Sequence, residues 1–261
     1  MIKKLYTDLK KYWKYAFYAA KADLKSEVSN SYLNWVWWIL EPFCLMLIYT
    51  FIFGYVFKAS ELYFPVFIFV GLSLWSFFSK TMTNSVDLIR NNKGIISKVY
   101  LPKYILLVIR ILINGFKLIV SFAIVVIMMI LYNIPVNWNI LFFIPFLFLL
   151  FLVTFCLGSY LLHVGVFIND LSYIVAILLN FLMYLTGIFY DVVNRMPQPI
   201  GKILEIVNPI AFVISNIRKC LLYEQTPDML GWVIWTIIAS VLLILGIKII
   251  YNNENTYVKV I

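Results

Sequence analysis

The chain opens with a different hydrophobic period from the one that fills the rest of it. Over residues 1–25, Ile2, Leu5, Leu9, Tyr12, Trp13, Ala16, Phe17, Ala20 and Leu24 recur at helical spacing, while Lys3, Lys4, Lys10, Lys11, Lys14, Lys21 and Lys25 fall on the other side. That pattern predicts an amphipathic helix lying in the headgroup region of a membrane. It has no continuous apolar core, so it does not read as a cleaved signal peptide. Six apolar runs follow, at 35–57, 62–79, 104–132, 139–162, 173–190 and 232–251, each read as a membrane span because a spanning helix needs roughly 20 apolar residues. The second and fifth runs are near the lower length limit, and the third carries charges. Trp35, Trp37, Trp38, Tyr132, Trp138, Tyr190 and Trp232 stand at the run ends, where indole and phenol rings prefer the membrane interface.

Two connectors do not read as plain loops. The one at 80–103 mixes basic residues with Ile89, Ile95, Ile96, Val99 and Leu101 and stops at Pro102, which predicts a short helix with one apolar face. It serves either as a docking surface or as a positively charged anchor. The connector at 191–231 carries Ile203, Leu204, Ile206, Val207, Ile210, Phe212, Val213, Ile217, Leu221 and Leu222 in helical register around Asn208 and Pro209. It is predicted to form one or two short re-entrant helices between spans 5 and 6, a backbone arrangement allowed at membrane depth only where protein covers it.

Composition narrows the class. The 261 residues are 64% hydrophobic and 13% charged, with mean hydropathy +0.94, against about 45–50% apolar and about 25% charged in an ordinary soluble domain. The expected fold is therefore all-α, a single membrane domain over 1–261. Its parts are an interface helix at 1–34, five spans over 35–190, a re-entrant segment at 191–231, and span six with its tail at 232–261. The net charge of +9 sits at the ends of the apolar runs instead of forming a stripe, so it indicates topology and anionic lipid, not nucleic acid. With the amino terminus inside, the inner segments hold fourteen lysines and arginines and the outer ones five. This places both termini in the cytoplasm of a multi-pass inner-membrane protein.

Reactive groups are sparse. The only histidine is His163, and no HExxH, GxSxG, DxD or GxxxxGK[ST] pattern occurs, so the chain reads as no enzyme and has no ATPase of its own. Cys44, Cys156 and Cys220 show no metal-ligand spacing and read as packing residues. The polar groups within the spans ask for more. Arg110, Asn114, Lys117 and Ser121 share one helix face, with Arg110 about 9 Å and Lys117 about 20 Å from the start of the third run. Charges at that depth mark a pathway when they face a bundle interior; if the span starts later, they snorkel to the inner surface instead. Glu41, before Pro42, is level with Arg110. It either neutralises Arg110 or stays wet in the interface.

Four stretches together resemble the permease subunits of ABC exporters for O-antigen, teichoic acid and related cell-surface polysaccharides. They are 29–38 (SNSYLNWVWW) leading to Pro42, 96–106 (ISKVYLPKYIL), Asn169-Asp170-Leu171, and Asn208-Pro209 with Arg218 ten residues beyond Asn208. With the span pattern the likeness covers nearly the whole chain. Asn34, Asn169 and Thr186-Gly187 depart from the family's usual glycine, arginine and Ser-Pro at those places. The resemblance implies a homodimer of this chain, bound to two copies of a separate ABC ATPase that holds the ATP and Mg, with no cofactor on the chain itself. It further implies a coupling surface of Arg90, Lys93, Ile95, Ile96, Lys98 and Val99 with Phe167, Asn169 and Asp170. An external gate would involve Asn208, Pro209, Phe212 and Arg218. The substrate implied is a glycan on a polyprenyl pyrophosphate, whose anionic head would meet Arg110, Asn114, Lys117, Ser121 and Glu41. An ABC permease for drugs or lipids, a membrane-embedded glycan transferase and a stand-alone transporter are the competing readings. The transferase lacks a carboxylate or histidine cluster, and the transporter lacks internal repeats.

Overall fold

A membrane interior offers no water to satisfy backbone groups, so long Leu, Ile, Phe and Val runs close their hydrogen bonds locally as helices. The computed structural model describes every residue except 1, 30–33, 60 and 261, and among the described residues it contains helices and no strand. The motif at 29–38 thus lies partly outside the described residues. The elements are α1 (Ile2–Ser29), α2 (Trp37–Tyr49), α3 (Phe64–Val86), α4 (Leu88–Asn91), α5 (Lys93–Ile96), α6 (Tyr104–Leu131), α7 (Phe143–Gly165) and α8 (Leu171–Leu185). They are followed by α9 (Val192–Arg195), α10 (Ile200–Val207), α11 (Pro209–Leu222), α12 (Met229–Asn252) and α13 (Glu254–Val260). A π-helical stretch, Thr50–Val56, continues α2, and a 3-10 turn, Trp138–Phe142, leads into α7.

The centre of the bundle is α3. Its sides are buried against α2, α6, α7, α8 and α11, and Val66, Ile68, Phe69, Val70 and Leu74 are fully enclosed. Its hydroxyls do not stay unpaired in this setting: Ser73, Thr81 and Ser85 each donate to the carbonyl one turn back. Asn114 of α6 donates to Thr81 Oγ1 at 2.9 Å, a polar link in an otherwise apolar seam. Small residues set the closest approaches. A Cβ on Gly246 of α12 would collide with Ser159 of α7, and one on Gly165 would collide with the backbone of Val86.

Among the described residues five helical stretches are long and apolar enough to cross a membrane: Trp37–Val56, Phe64–Val86, Tyr104–Leu131, Trp138–Gly165 and Met229–Asn252. The fifth apolar run is shorter than expected, because α8 stops at Leu185, where Thr186 and the left-handed Gly187 (φ 71°) break it. Its ends nevertheless meet opposite ends of α3. Before α8, the carbonyl of Val166 accepts from Arg90, just past α3; after it, the carbonyls of Gly187 and Ile188 share Arg218 with that of Phe67, at the start of α3. The re-entrant segment is present as α9, α10 and α11, with a 100° bend between the last two. The second run extends beyond 79 to Val86, so Lys80 belongs to a helix and not to a connector.

α1 lies along α6 and follows its first four turns. Asp8 accepts from Tyr251, which also reaches Tyr104, while Asp23 and Glu27 meet Arg110 and Lys117 farther along. Ala16 and Ala20 allow the close approach and are buried, whereas Trp13, Phe17 and Tyr18 remain exposed among the lysines, as in a helix that shares its surface with lipid.

Candidate functional site

A polar groove runs between α2, α3, α6 and α8. It consists of two adjoining cavities of about 230 and 360 Å³ that share Trp75, Ser79, Lys80, Asn114 and Lys117. Glu41 and Ser121 border the first and Arg110 the second, so the five residues singled out on α2 and α6 all line one groove. Each of its cations faces a carboxylate: Lys80 Nζ to Glu41 Oε1 at 2.9 Å, Arg110 Nη1 to Asp23 Oδ2 at 3.2 Å, and Lys117 Nζ to Glu27 Oε2 at 2.6 Å. Arg110 and Lys117 are thus half-buried among protein groups.

Of the two alternatives for Glu41, neutralising Arg110 is not the one realised: its carboxylate is about half exposed and meets Lys80. Equal depth places two residues at one level but says nothing about direction around the helix, and Glu41 is turned toward α3 and Lys80. The sequence reading missed Lys80, Asp23 and Glu27. A signal for Lys80 was present: Ser73, Ser76, Lys80, Thr83 and Asn84 form a polar stripe at helical spacing across the end of the second run. Asp23 and Glu27 carried a weaker one, as acids one turn apart on a helix otherwise rich in lysine.

A second surface lies at the end of the bundle where α3 and α7 terminate. Arg90 Nη2 donates to the carbonyl of Val166 at 3.2 Å and its other nitrogen stands 3.5 Å from Asp87, which fastens the α4–α5 connector to the α7–α8 turn. Lys93, Ile95, Lys98 and Val99 on the first segment and Phe167, Asn169 and Asp170 on the second are exposed side by side. Two expectations change. The connector forms two single turns instead of one short helix, because the backbone departs from helical values at Asn92. Ile96 points into the core beside Leu88 and Ile89, so it cannot contact a partner, and half-buried Arg90 acts as a fastener. Nearby, Lys103 is buried at the start of α6, donating to the Leu101 carbonyl at 3.1 Å. Burial pushes its ammonium below the usual lysine range, an effect that Glu254 partly opposes.

At the far end, Asn208 caps α11: its side chain accepts from the N–H groups of Ile210 and Ala211, and its amide donates to Thr186 Oγ1 at 3.2 Å. Pro209 occupies the first helical position, where no N–H is required. Phe212 packs on Phe146. Arg218 is buried with no carboxylate in contact among the described residues and donates to the carbonyls of Phe67 (2.8 Å), Gly187 (2.6 Å) and Ile188 (2.8 Å), with its guanidinium over the Phe67 ring. These four residues hold the bend in place. The exposed apolar face belongs to α10, through Ile200, Ile203, Ile206 and Val207.

This geometry combines a charged groove within a helical bundle, an exposed patch where α4, α5 and the α7–α8 turn meet, and a sharply bent helix pair at the other end. Comparisons with known proteins agree with that arrangement. Residues 17–222 match the family described as ABC-2 type transporter. The chain is 23% identical to an O-antigen export system permease protein of Myxococcus xanthus over 206 residues, 79% of each chain. It is 25% identical to one of Klebsiella pneumoniae over 197 residues, 75% of each, and 24% identical to a second from the same organism over 198 residues, 76% of each.

Proposed function

The chain belongs to the ABC-2 type transporter family, and from that premise we propose that it is the permease subunit of an ATP-driven exporter of a lipid-linked cell-surface polysaccharide. The observation that carries the reading is the groove: Lys80, Arg110 and Lys117 converge inside a bundle of otherwise apolar helices. Fixed cations at membrane depth suit a ligand that is anionic at one point and otherwise tolerant of lipid. A polyprenyl pyrophosphate has that form, and Asn114, Ser121 and Glu41 add neutral and acidic contacts along its route.

The exposed patch of Ile95, Lys98, Val99, Phe167, Asn169 and Asp170 receives a separate ABC ATPase, which binds ATP and Mg and supplies the hydrolysis this chain has no residues for. Two copies of the permease, each with its ATPase, form the working unit. The weakly buried α2 and α8 are the surfaces available for that pairing. The basic end, with both termini, faces the cytoplasm across the inner membrane, and the hairpin held by Asn208, Pro209, Phe212 and Arg218 closes the opposite end.

The test is co-purification from the native membrane followed by an ATPase assay. A stoichiometric nucleotide-binding subunit is expected, and removing it abolishes hydrolysis. Hydrolysis by the permease alone, or its isolation with no ATPase while export in the same cells continues, overturns the reading.

A further inference from the structure

Near its end α1 sorts its charges by side. Asp23 and Glu27 face the groove and meet Arg110 and Lys117, whereas Lys21 and Lys25, also one turn apart, border a separate cavity of about 630 Å³ between α1, α2, α6 and α7. That cavity is within the range of about 300–1,000 Å³ for ligand sites. Apart from its two lysines its walls are apolar or aromatic, among them Phe17, Leu24, Trp35, Leu112, Phe116 and Ile119. Lys21 and Lys25 are exposed and form no ion pair among the described residues, so both remain available to an outside anion.

Trp38 divides this cavity from the groove. Its ring borders both, with Phe116 edge-on at 5.7 Å and Lys117 Nζ 5.9 Å from the ring centroid on the groove side. The remaining opening is rimmed by Phe17, Trp35, Phe116 and Ile119, all of them exposed and apolar or aromatic, which suits contact with the bilayer. An apolar pocket open to lipid, walled from the groove and edged by two lysines with no acid partner, has the shape and charge of a site for one lipid.

We propose that this cavity holds an anionic phospholipid of the bilayer, with an acyl chain against Leu24, Leu112 and Ile119 and the phosphate between Lys21 and Lys25. The lipid fills the gap between α1 and α2, a helix that buries little of itself in the chain. The wall at Trp38 keeps it out of the groove, so it is a resident lipid and not cargo. This assignment needs only the membrane location and stands apart from the proposed export function.

The experiment is native mass spectrometry of the full-length chain reconstituted with phosphatidylglycerol and phosphatidylcholine in equal amounts, then released from the membrane mimic. Wild type retains one phosphatidylglycerol per chain in preference to phosphatidylcholine. A Lys21→Gln, Lys25→Gln double variant lowers that retention by about tenfold or more. Ile119→Trp, which fills the cavity without touching either lysine, lowers it as well, and Lys10→Gln, Lys11→Gln leaves it unchanged. Unaltered retention in the first two variants, or equal retention of both lipids, overturns the proposal. So does displacement of the bound lipid by an equal concentration of a polyisoprenyl diphosphate, which would make the cavity part of the cargo route.

Discussion

Lys117 Nζ lies 2.6 Å from Glu27 Oε2, so a cation in the fourth turn of α6 is neutralised by a carboxylate from the end of α1. Opposite charges matched in this way lower the cost of placing an ammonium near the hydrocarbon, about 2.5–3.5 kcal/mol for an unmatched lysine at the centre of a span. Replacing Lys117 by leucine is expected to preserve folding and assembly but reduce export at least tenfold, measured as polymer reaching the cell surface. Full export by an Arg110→Leu, Lys117→Leu double variant would reject the role of the groove. Glu27→Gln should cost about 1 kcal/mol or less, because its side chain is 41% exposed and solvent screens the pair.

Arg218 is different in kind, since among the described residues it has no carboxylate in direct contact and is enclosed by three backbone carbonyls. Arg218→Met removes the donors and leaves those carbonyls without them, at about 1–3 kcal/mol for each one left unsatisfied. The expected result is a loss of at least about 3 kcal/mol in detergent unfolding, and reduced insertion in cells. Arg218→Lys should recover only a minor part, because an ammonium cannot present the same planar fork. A variant with wild-type melting would show that the guanidinium does not hold the hairpin.

The legible parts of the fold were those written in local periodicity: the amphipathic α1, the long apolar runs, and the re-entrant helices around Asn208 and Pro209. The charge partners were not legible, because they depend on which way neighbouring helices face. Glu41 and Arg110 stand at one level, which left open whether they pair or Glu41 stays wet, and Glu41 turns to Lys80 while Arg110 turns to Asp23, 87 positions earlier in the chain. Ile96 failed for a related reason: a four-residue turn has too few positions for its period to reveal which side is covered. Arg218 was noticed as part of a motif, but its carbonyl partners come from two separated places in the chain, Phe67 and the adjacent Gly187 and Ile188, and leave no sequence signal.

Lys103 makes stability depend on pH. Burial lowers its folded value below the unfolded one of about 10.4, so between those two values the unfolded chain binds more protons than the folded one. Stability therefore rises with pH through that window. Lys103→Met removes a buried cation from a helix N-terminus, where the helix dipole also opposes it. Thermal unfolding from pH 7 upward should show a smaller positive slope for Lys103→Met than for wild type, with the variant more stable at pH 7. An identical slope would mean that Lys103 is solvated in the folded chain.

Crosslinking tests the docking surface without assuming a cargo. Cysteines placed at Ile95 and Asn169 stand on the exposed patch fastened by Arg90, so each should trap the ATPase subunit in membranes. Lys58, beyond the opposite end of α2, should trap none. Equal yields from Lys58 and Ile95 would show that the two ends of the bundle have been assigned to the wrong sides.

Gly165 offers a way to disturb coupling without touching either the groove or the docking residues. It closes α7 against the end of α3, where a Cβ would fall well inside contact distance of the Val86 carbonyl, a backbone atom that cannot move aside alone. Alanine would otherwise favour a helix by about 1 kcal/mol over glycine, so any loss must come from that collision. The last turn of α7 has to move away from Val86. With it go Phe167, Asn169 and Asp170, while Ile95, Lys98 and Val99 stay with α3 through α4, and the Arg90 to Val166 bond is stretched. Gly165→Ala is therefore expected to leave insertion and span packing largely intact yet weaken co-purification of the ATPase and lower export several-fold. Gly94→Ala, which meets nothing within 4 Å in the same region, should behave as wild type. If Gly165→Ala binds the ATPase as well as wild type, the two exposed segments do not act as one surface.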